Sequence, residues 1–286
     1  MSHVKCTSGT FGVADQKGFT IIEIAIVLVV IGLIVGAVVV GQSMIRTAQL
    51  EAVINEQDRY KKAVQVFKEK YMYLPGDMPT ATNFWGTDSN CPNTASTTTA
   101  HTATCNGNGD GRIGNPYGTN YNGGCVGVAA DSTWYENYRA WQQLADAGFI
   151  AGSYTGVTGG ANSFTGLVGI NVPISQLSGG GWQLYFALTT NINNANCANA
   201  FQGLAGHMLQ IGGALSSTNP YGPILTPSEA FGIDSKIDDG LPGYGNVQSG
   251  TASGFPNCVT SSTASTATYK LTYNGLACSE IFVLGF

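Results

Sequence analysis

The apolar run from Phe19 to Gly41 constrains this chain more than any other part of its sequence. It contains a single charged residue, Glu23. A helix needs about 20 such residues to cross a bilayer, whereas the apolar core of a secretory signal peptide has about 7–15 and is followed by small residues at a cleavage site. The run therefore predicts a membrane-spanning helix. Its acid needs an explanation, because a carboxylate inside a membrane helix costs about 2.5–3.5 kcal/mol.

The residues around this acid resemble a known processing signal. Gly18-Phe19-Thr20-Ile21-Ile22-Glu23 leads directly into the apolar run and is similar to the prepilin signal of type IV pilins and type II secretion pseudopilins. The resemblance implies that a prepilin peptidase cuts between Gly18 and Phe19 and that Phe19 is then N-methylated. It also implies that Glu23 pairs with the terminal amine of a neighbouring subunit. Many type IVa pilins have proline at the twenty-second mature position, where this chain has Val40.

Beyond the apolar run the sequence becomes amphipathic. Apolar residues recur at helical spacing, at Leu50, Val53, Ile54, Tyr60, Val64, Phe67 and Tyr71. Charged residues fall mainly between them, among them Glu51, Glu56, Asp58, Arg59, Lys61, Lys62 and Lys68. Leu74-Pro75-Gly76 is a stop signal. The pattern predicts one helix from about Phe19 to about Tyr71, lipid-facing first and packed on a globular head later.

The rest of the chain predicts an α+β head with an antiparallel sheet. Thr133-Trp134-Tyr135-Glu136 reads as a capping box that opens a helix ending near Gly148, and Thr226-Pro227-Ser228-Glu229 opens another. Strands are predicted where β-branched and aromatic residues concentrate, at 164–174, 182–190, 206–215, 268–273 and 279–286. The expected organisation is a cleaved leader over 1–18, the pilin helix over 19–72 with its membrane part at 19–41, and a head over 73–286.

Cysteine usage indicates an oxidising compartment. Cys6 lies in the leader, and six cysteines follow the membrane segment, an even number that predicts three disulfides. Six cysteines allow 15 pairings. Short separations favour Cys91 with Cys105 and Cys258 with Cys278, which leaves Cys125 and Cys197.

The segment from Cys105 to Gly114 resembles the start of a calcium-binding EF-hand loop. Asn106, Asn108 and Asp110 occupy its first, third and fifth positions, but the twelfth position is Tyr117 instead of glutamate. The loop needs further ligands, for which Asp131 and Glu136 are candidates. Some pseudopilins and pilins carry a structural calcium in a loop, and that resemblance supports Ca²⁺ here. The alternative is a turn cluster rich in glycine and asparagine.

A second acidic cluster, Asp234, Asp238 and Asp239, lies between Ile233 and Gly245. Its functional interpretation is a second cation site or a subunit contact. The structural alternative is a helix end followed by an Asp-Gly turn.

Composition and motifs exclude several classes of function. From Tyr71 onwards the chain has four Lys/Arg and eleven Asp/Glu, a net of 4 − 11 = −7, so no nucleic-acid partner is expected. No metalloprotease, nucleophile-elbow or phosphate-loop motif is present, and three scattered histidines do not form a triad. The sequence predicts no enzyme.

The resemblance predicts a structural subunit of a type IV pilus or type II secretion filament: a minor or type IVb-like pilin, or a large pseudopilin. Its expected partners are other pilin subunits, the prepilin peptidase and methyltransferase, an inner-membrane assembly platform, and lipid before assembly. The expected location is the bacterial inner membrane with a cytoplasmic N-terminus, then a periplasmic or cell-surface filament. The alternative is an adhesin or substrate-binding module that uses the pilin helix only as an anchor.

Overall fold

The computed structural model of this protein describes residues 19–89, 91, 102–114, 136–159, 165–188, 201, 205–215, 219–250 and 254–286. Two compact units share the chain, Met1–Ala48 and Gln49–Phe286. The first helix, α1 (Ile21–Tyr71), contributes to both of them.

In the first unit the apolar half of α1 is exposed on every side. The side chains from Ile21 to Val40 are all exposed, and this half is long and apolar enough to cross a membrane. A helix that is apolar all round suits lipid or the interior of an assembly, since no water-facing side is distinguished. The predicted helix from Phe19 to Tyr71 is confirmed within two residues.

In the second unit α1 buries one stripe of side chains. The stripe consists of Val53, Glu56, Gln57, Tyr60, Ala63, Val64 and Phe67. Four of the predicted apolar positions belong to it, and Leu50, Ile54 and Tyr71 pack against the same core half-buried. Glu56, one of the charged residues between the predicted apolar positions, also lies in the buried stripe.

The remaining elements form an α+β head, as predicted. In chain order they are α2 (Thr82–Trp85), α3 (Glu136–Asp146), β1 (Gly180–Leu188), β2 (Ala205–Gly213), α4 (Pro227–Ile237), β3 (Val247–Ser249), a short 3-10 helix (Ala264–Thr266) and β4 (Glu280–Val283). The four strands form one antiparallel sheet in the order β1-β2-β4-β3. Its inner face supplies Trp182, Leu209 and Phe282 to the core that α1 and α3 cover.

Two helix starts were predicted, and one of them can be checked. Thr226 caps α4 with a complete capping box, in which its hydroxyl accepts from Glu229 N and the Glu229 carboxylate accepts from Thr226 N. Pro227 begins the helix, where its missing N–H costs nothing. The other predicted box includes residues 133–135, which lie outside the described residues. Helix α3 begins at Glu136.

The predicted strand at 164–174 is wrong over its described part, from Thr165. The amide of Asn171 donates to the carbonyls of Val157 and Thr165 and accepts from Leu167 N. This side chain replaces ladder hydrogen bonds and holds the backbone in a turn. Pro173 has no N–H to offer a ladder. Strand β1 therefore begins only at Gly180.

The predicted strand at 268–273 is also wrong. Tyr269 makes one isolated bridge to Val259, and the chain then turns through hydrogen bonds from Leu271 N to Tyr269 O and from Tyr273 N to Lys270 O. The alternating apolar pattern arises because Tyr269 enters a buried acidic cluster. The other three predicted strands correspond to β1, β2 and β4.

Candidate functional site

The start of α1 holds its acid in a capping box. Thr20 N and Thr20 Oγ1 donate to Glu23 Oε2 at 2.8 and 2.9 Å, and Glu23 N donates back to Thr20 Oγ1 at 3.3 Å. This is the reciprocal pattern by which a threonine and a glutamate three residues later satisfy free N–H groups at a helix start. Both Thr20 donors use the same carboxylate oxygen, Oε2.

The surroundings of this box are apolar and open. Phe19 is 83 % exposed, and Ile21 and Ile22 are exposed beside it. Gly18, the other residue of the predicted cleavage site, lies outside the described residues. The arrangement presents an oriented carboxylate at the end of an apolar helix. Such a group gains most from a cationic partner once water is excluded.

Glu56 fastens the second half of α1 to the head. Its Oε2 accepts hydrogen bonds from Ser175 Oγ at 3.0 Å, Trp182 Nε1 at 3.0 Å and Gln176 N at 3.4 Å. These donors come from β1 and the segment before it, more than a hundred residues away in the chain. A buried carboxylate with three donors fixes the rotation of α1 against the sheet.

An aromatic contact reinforces this attachment one turn further along. The Tyr60 ring lies edge-on to Trp141 at 5.1 Å and to Trp182 at 5.7 Å between centroids. All three rings are buried. Pairs of this geometry contribute about 0.5–1.5 kcal/mol each beyond the area they bury. The helix, α3 and β1 therefore meet at one rigid junction.

The loop predicted to bind calcium closes over a cluster of three carboxylates. Asp77, Asp110 and Glu136 can each place one oxygen within 4.8 Å of the others. Asp77 accepts from Asp110 N and Gly111 N, and Glu136 accepts from Asn108 N and Gly114 N. Two buried carboxylates from distant segments thus hold four N–H groups of the loop.

The predicted ligands are only partly brought together. Asp110 belongs to the cluster, but Asn106 Oδ1 accepts from Thr82 N and Asn108 Oδ1 accepts from Asp110 N. Glu136, named as a further ligand, is in the cluster, while Asp131 and Tyr117 lie outside the described residues. Asp77 was missed, because it precedes Asp110 by 33 residues and lies outside the loop.

The chemistry of this donor set suits Ca²⁺, which prefers carboxylate oxygens. Burial raises the pKa of Glu136 to about 8 and that of Asp77 to about 6, and in both cases the neighbouring acids add to the shift. A cation between the carboxylates would offset this repulsion. Without a cation, the four loop N–H groups can serve as the hydrogen-bond partners of the buried carboxylate oxygens.

The second acidic cluster mainly stabilises local turns. Asp234 Oδ1 accepts from Gly240 N, Asp238 from Asn246 N and Val247 N, and Asp239 from Leu241 N. Its three carboxylates can also approach within 4.8 Å.

Behind this cluster, Tyr269 Oη donates to Asp234 Oδ2 at 2.9 Å and lies 3.4 Å from Glu280 Oε1. Burial raises the pKa of Asp234 to about 6 and that of Glu280 well above its ordinary value. The tyrosine therefore bridges two buried acids, and their mutual repulsion disfavours the state in which both are ionised.

Two disulfides lie within the described residues. They join Cys91 to Cys105 and Cys258 to Cys278, the two local pairs that the sequence favours. The first ends where the acidic loop begins, so it anchors that loop. The third predicted pair, Cys125 and Cys197, lies outside the described residues.

The histidine in the described part of the chain has a structural role. His207 Nε2 accepts from Ile113 N at 3.3 Å, and Nδ1 lies 3.2 Å from the carbonyl oxygen of Phe286. Burial lowers its pKa, which favours the neutral ring that these two contacts require.

Comparison with protein families identifies the N-terminal segment. Residues 14–39 match the prokaryotic N-terminal methylation motif, the signature of prepilin-like proteins of the type IV pilin and pseudopilin class. The predicted recognition is confirmed. The motif implies processing by prepilin peptidase and assembly with other pilin subunits, and it indicates membrane anchoring before assembly. It is typical of structural proteins of the pilin type. No curated protein and no solved structure matches the chain.

Proposed function

We propose that this chain is a structural subunit of a type IV pilus or type II secretion filament. The observation that carries the proposal is the continuity of the methylation motif with α1, whose first half is apolar and exposed on every side. Lipid would surround this half in the inner membrane, with the N-terminus cytoplasmic. Neighbouring subunits would surround it in the filament, with the head outside.

In this proposal the prepilin peptidase and methyltransferase cut between Gly18 and Phe19 and methylate the freed amine. Glu23 then pairs with the methylated ammonium of a neighbouring subunit. An acid among apolar helices is costly when unpaired, so a partner available only in the filament favours assembly. The hydrogen bonds from Thr20 would hold the carboxylate in place during this step.

The subtype that fits best is a minor or type IVb-like pilin, or a large pseudopilin. Residues 19–286 number 286 − 18 = 268, and Val40 stands where many type IVa pilins have proline. The assembly platform of the inner membrane would be the remaining partner. An adhesin displayed on the filament is the alternative. The abundance of the protein in sheared fibres distinguishes the two proposals, since a body subunit is the main component of the fibres and an adhesin is rare.

Replacing Glu23 with alanine tests this proposal. We expect the variant to insert and to be processed normally, but to enter filaments at least about tenfold less, the loss that corresponds to about 1.4 kcal/mol of pairing free energy. Sheared fibres and membranes would be quantified by immunoblot. Glu69→Ala removes an exposed acid from the same helix and should assemble normally. Normal incorporation of Glu23→Ala would refute the assembly role of this acid.

We also propose that the cluster of Asp77, Asp110 and Glu136 binds a structural Ca²⁺. At a concentration of about 100 Kd, an ion that binds only the folded state adds about 2.7 kcal/mol. At about 2–4 °C per kcal/mol, chelation should lower the Tm of the full chain in detergent by about 5–10 °C. Asp110→Asn should abolish this response.

Two results would contradict the calcium proposal. An unchanged Tm after chelation would show that the loop N–H groups alone satisfy the carboxylates. A response lost in Asp239→Asn but kept in Asp110→Asn would place the ion in the second acidic cluster.

A further inference from the structure

Four asparagines of this chain are followed directly by glycine, namely Asn106, Asn108, Asn122 and Asn274. In this dipeptide the backbone nitrogen of the glycine can attack the asparagine side chain, because a glycine has no side chain that obstructs the approach. Asn122 lies outside the described residues. The structure gives the other three dipeptides very different surroundings.

The dipeptide Asn108-Gly109 belongs to the acidic loop, where hydrogen bonds hold both of its reacting groups. Gly109 N donates to the carbonyl oxygen of Asp77 at 3.0 Å. Asn108 Oδ1 accepts from Asp110 N at 2.9 Å. Both residues of the dipeptide are exposed. Their reaction is therefore opposed by these hydrogen bonds, which have to break before the nitrogen can attack, and not by a lack of access to water.

The dipeptide Asn106-Gly107 is held in the same way. Gly107 N donates to the carbonyl oxygen of Met78 at 2.9 Å, and Asn106 Oδ1 accepts from Thr82 N at 2.9 Å. Gly107 is also buried, and a backbone nitrogen that loses its proton inside the protein carries a costly buried charge. Both dipeptides of this loop are therefore protected by the fold.

The dipeptide Asn274-Gly275 lies in a loop that has neither of these bonds. Within the part of the chain that the structure describes, neither Gly275 N nor the Asn274 side chain has a hydrogen-bond partner. Asn274 is exposed to water. Backbone hydrogen bonds resume on either side, at Tyr273 N and Ala277 N. No hydrogen bond thus has to break before Gly275 N approaches the Asn274 carboxamide.

We propose that Asn274 is a site of spontaneous deamidation, whereas Asn106 and Asn108 are protected from it. Gly275 N loses its proton to hydroxide and attacks Asn274 Cγ. The new C–N bond closes a cyclic imide, and the side-chain nitrogen leaves as ammonia. Water then opens the imide at either carbonyl carbon, which restores the N–H and gives aspartate or isoaspartate. The net reaction converts one amide and one water into one carboxylate and one ammonium ion, without oxidation or reduction.

The head can accept either product. Isoaspartate lengthens the backbone of the loop by one carbon, and both products add one negative charge. The loop is held at both ends, by the hydrogen bond from Tyr273 N to Lys270 O and by the disulfide between Cys258 and Cys278. The reaction requires neither assembly nor an enzyme, so it is independent of the filament function proposed above.

Peptide mass spectrometry on the full chain, incubated in detergent and mildly alkaline buffer, tests this site. Trypsin isolates it, because no lysine or arginine follows Lys270, and Asn274 is the only asparagine in the resulting peptide. We expect Asn274 to convert at least about tenfold faster than Asn108, a ratio that corresponds to about 1.4 kcal/mol of activation free energy. Labelling by an isoaspartate methyltransferase should mark the same peptide. Asn274→Gln should abolish both signals, since its longer side chain closes a less favourable ring.

The reduced chain in guanidinium chloride separates the effect of the fold from that of the dipeptide. There Asn106, Asn108 and Asn274 should convert at similar rates, because each is followed by glycine and none is held. Equal rates at Asn108 and Asn274 in the folded chain would overturn the proposal. A folded chain that leaves Asn274 unchanged while the denatured chain converts it would also overturn it, and would show that the folded loop keeps Gly275 N away from the carboxamide.

Discussion

Replacing Asp88 with alanine is expected to destabilise the head by about 3–5 kcal/mol, the range observed when one member of a buried ion pair is removed. Asp88 Oδ2 accepts from Arg139 Nη2 at 2.9 Å, and the two side chains are 3 % and 1 % exposed. Burial already lowers the pKa of Arg139, and Asp88 is the main group that opposes this shift. Without that carboxylate the guanidinium would remain in the core with Gln142 as its hydrogen-bonding neighbour.

Equilibrium unfolding in urea would measure this loss. Asp58→Ala is the matched control, because Asp58 forms an exposed i, i+4 pair with Lys62, and such pairs contribute about 0.3–0.5 kcal/mol. A loss below about 1 kcal/mol for Asp88→Ala would show that water or a rearranged side chain reaches Arg139. The buried pair would then not hold α3 to the segment after α2.

Replacing Glu56 with alanine should cost about 3 kcal/mol, since it leaves the donors of Ser175, Gln176 and Trp182 without their acceptor. Each buried donor that loses its partner costs about 1–3 kcal/mol, and partial relaxation reduces the sum. Glu56→Gln keeps one acceptor oxygen and should lose only about half as much.

Thermal unfolding and limited trypsin digestion would measure the effect of Glu56→Ala. The expected result is a lower Tm and faster cleavage of α1 at Arg59 and Lys61, because the helix is held less firmly. Glu51→Ala removes an exposed partner of Lys236 from the same helix and should leave both readouts unchanged. Equal behaviour of the two alanine variants would contradict the anchoring role of Glu56.

The sequence predicted α1 and the antiparallel sheet because the placement of apolar residues determines both. The helix boundaries followed from an uninterrupted apolar run and the stop at Pro75, and β1 followed from its dense aromatic residues. The strand prediction at 164–174 was wrong because one side chain makes hydrogen bonds to backbone groups that a neighbouring strand would otherwise bind. The amide of Asn171 satisfies three backbone groups, a choice that local composition does not reveal.

The candidate site was predictable only where it is local. Glu23 followed from its motif, and its capping partner Thr20 was readable from the Thr-x-x-Glu spacing but was not recognised. Asp77 joins Asp110 across the chain, and Glu56 meets Trp182 across a still larger separation. Contacts of this range depend on how the head folds, and no spacing in the sequence encodes them.

The central claim is that the chain is processed as a prepilin before it assembles. Intact-mass and N-terminal peptide spectrometry on protein isolated from its native cell envelope tests this most directly. We expect a chain that starts at N-methylated Phe19. A chain that retains Met1 to Gly18 in cells with an active prepilin peptidase would contradict it, and α1 would then be a plain membrane anchor.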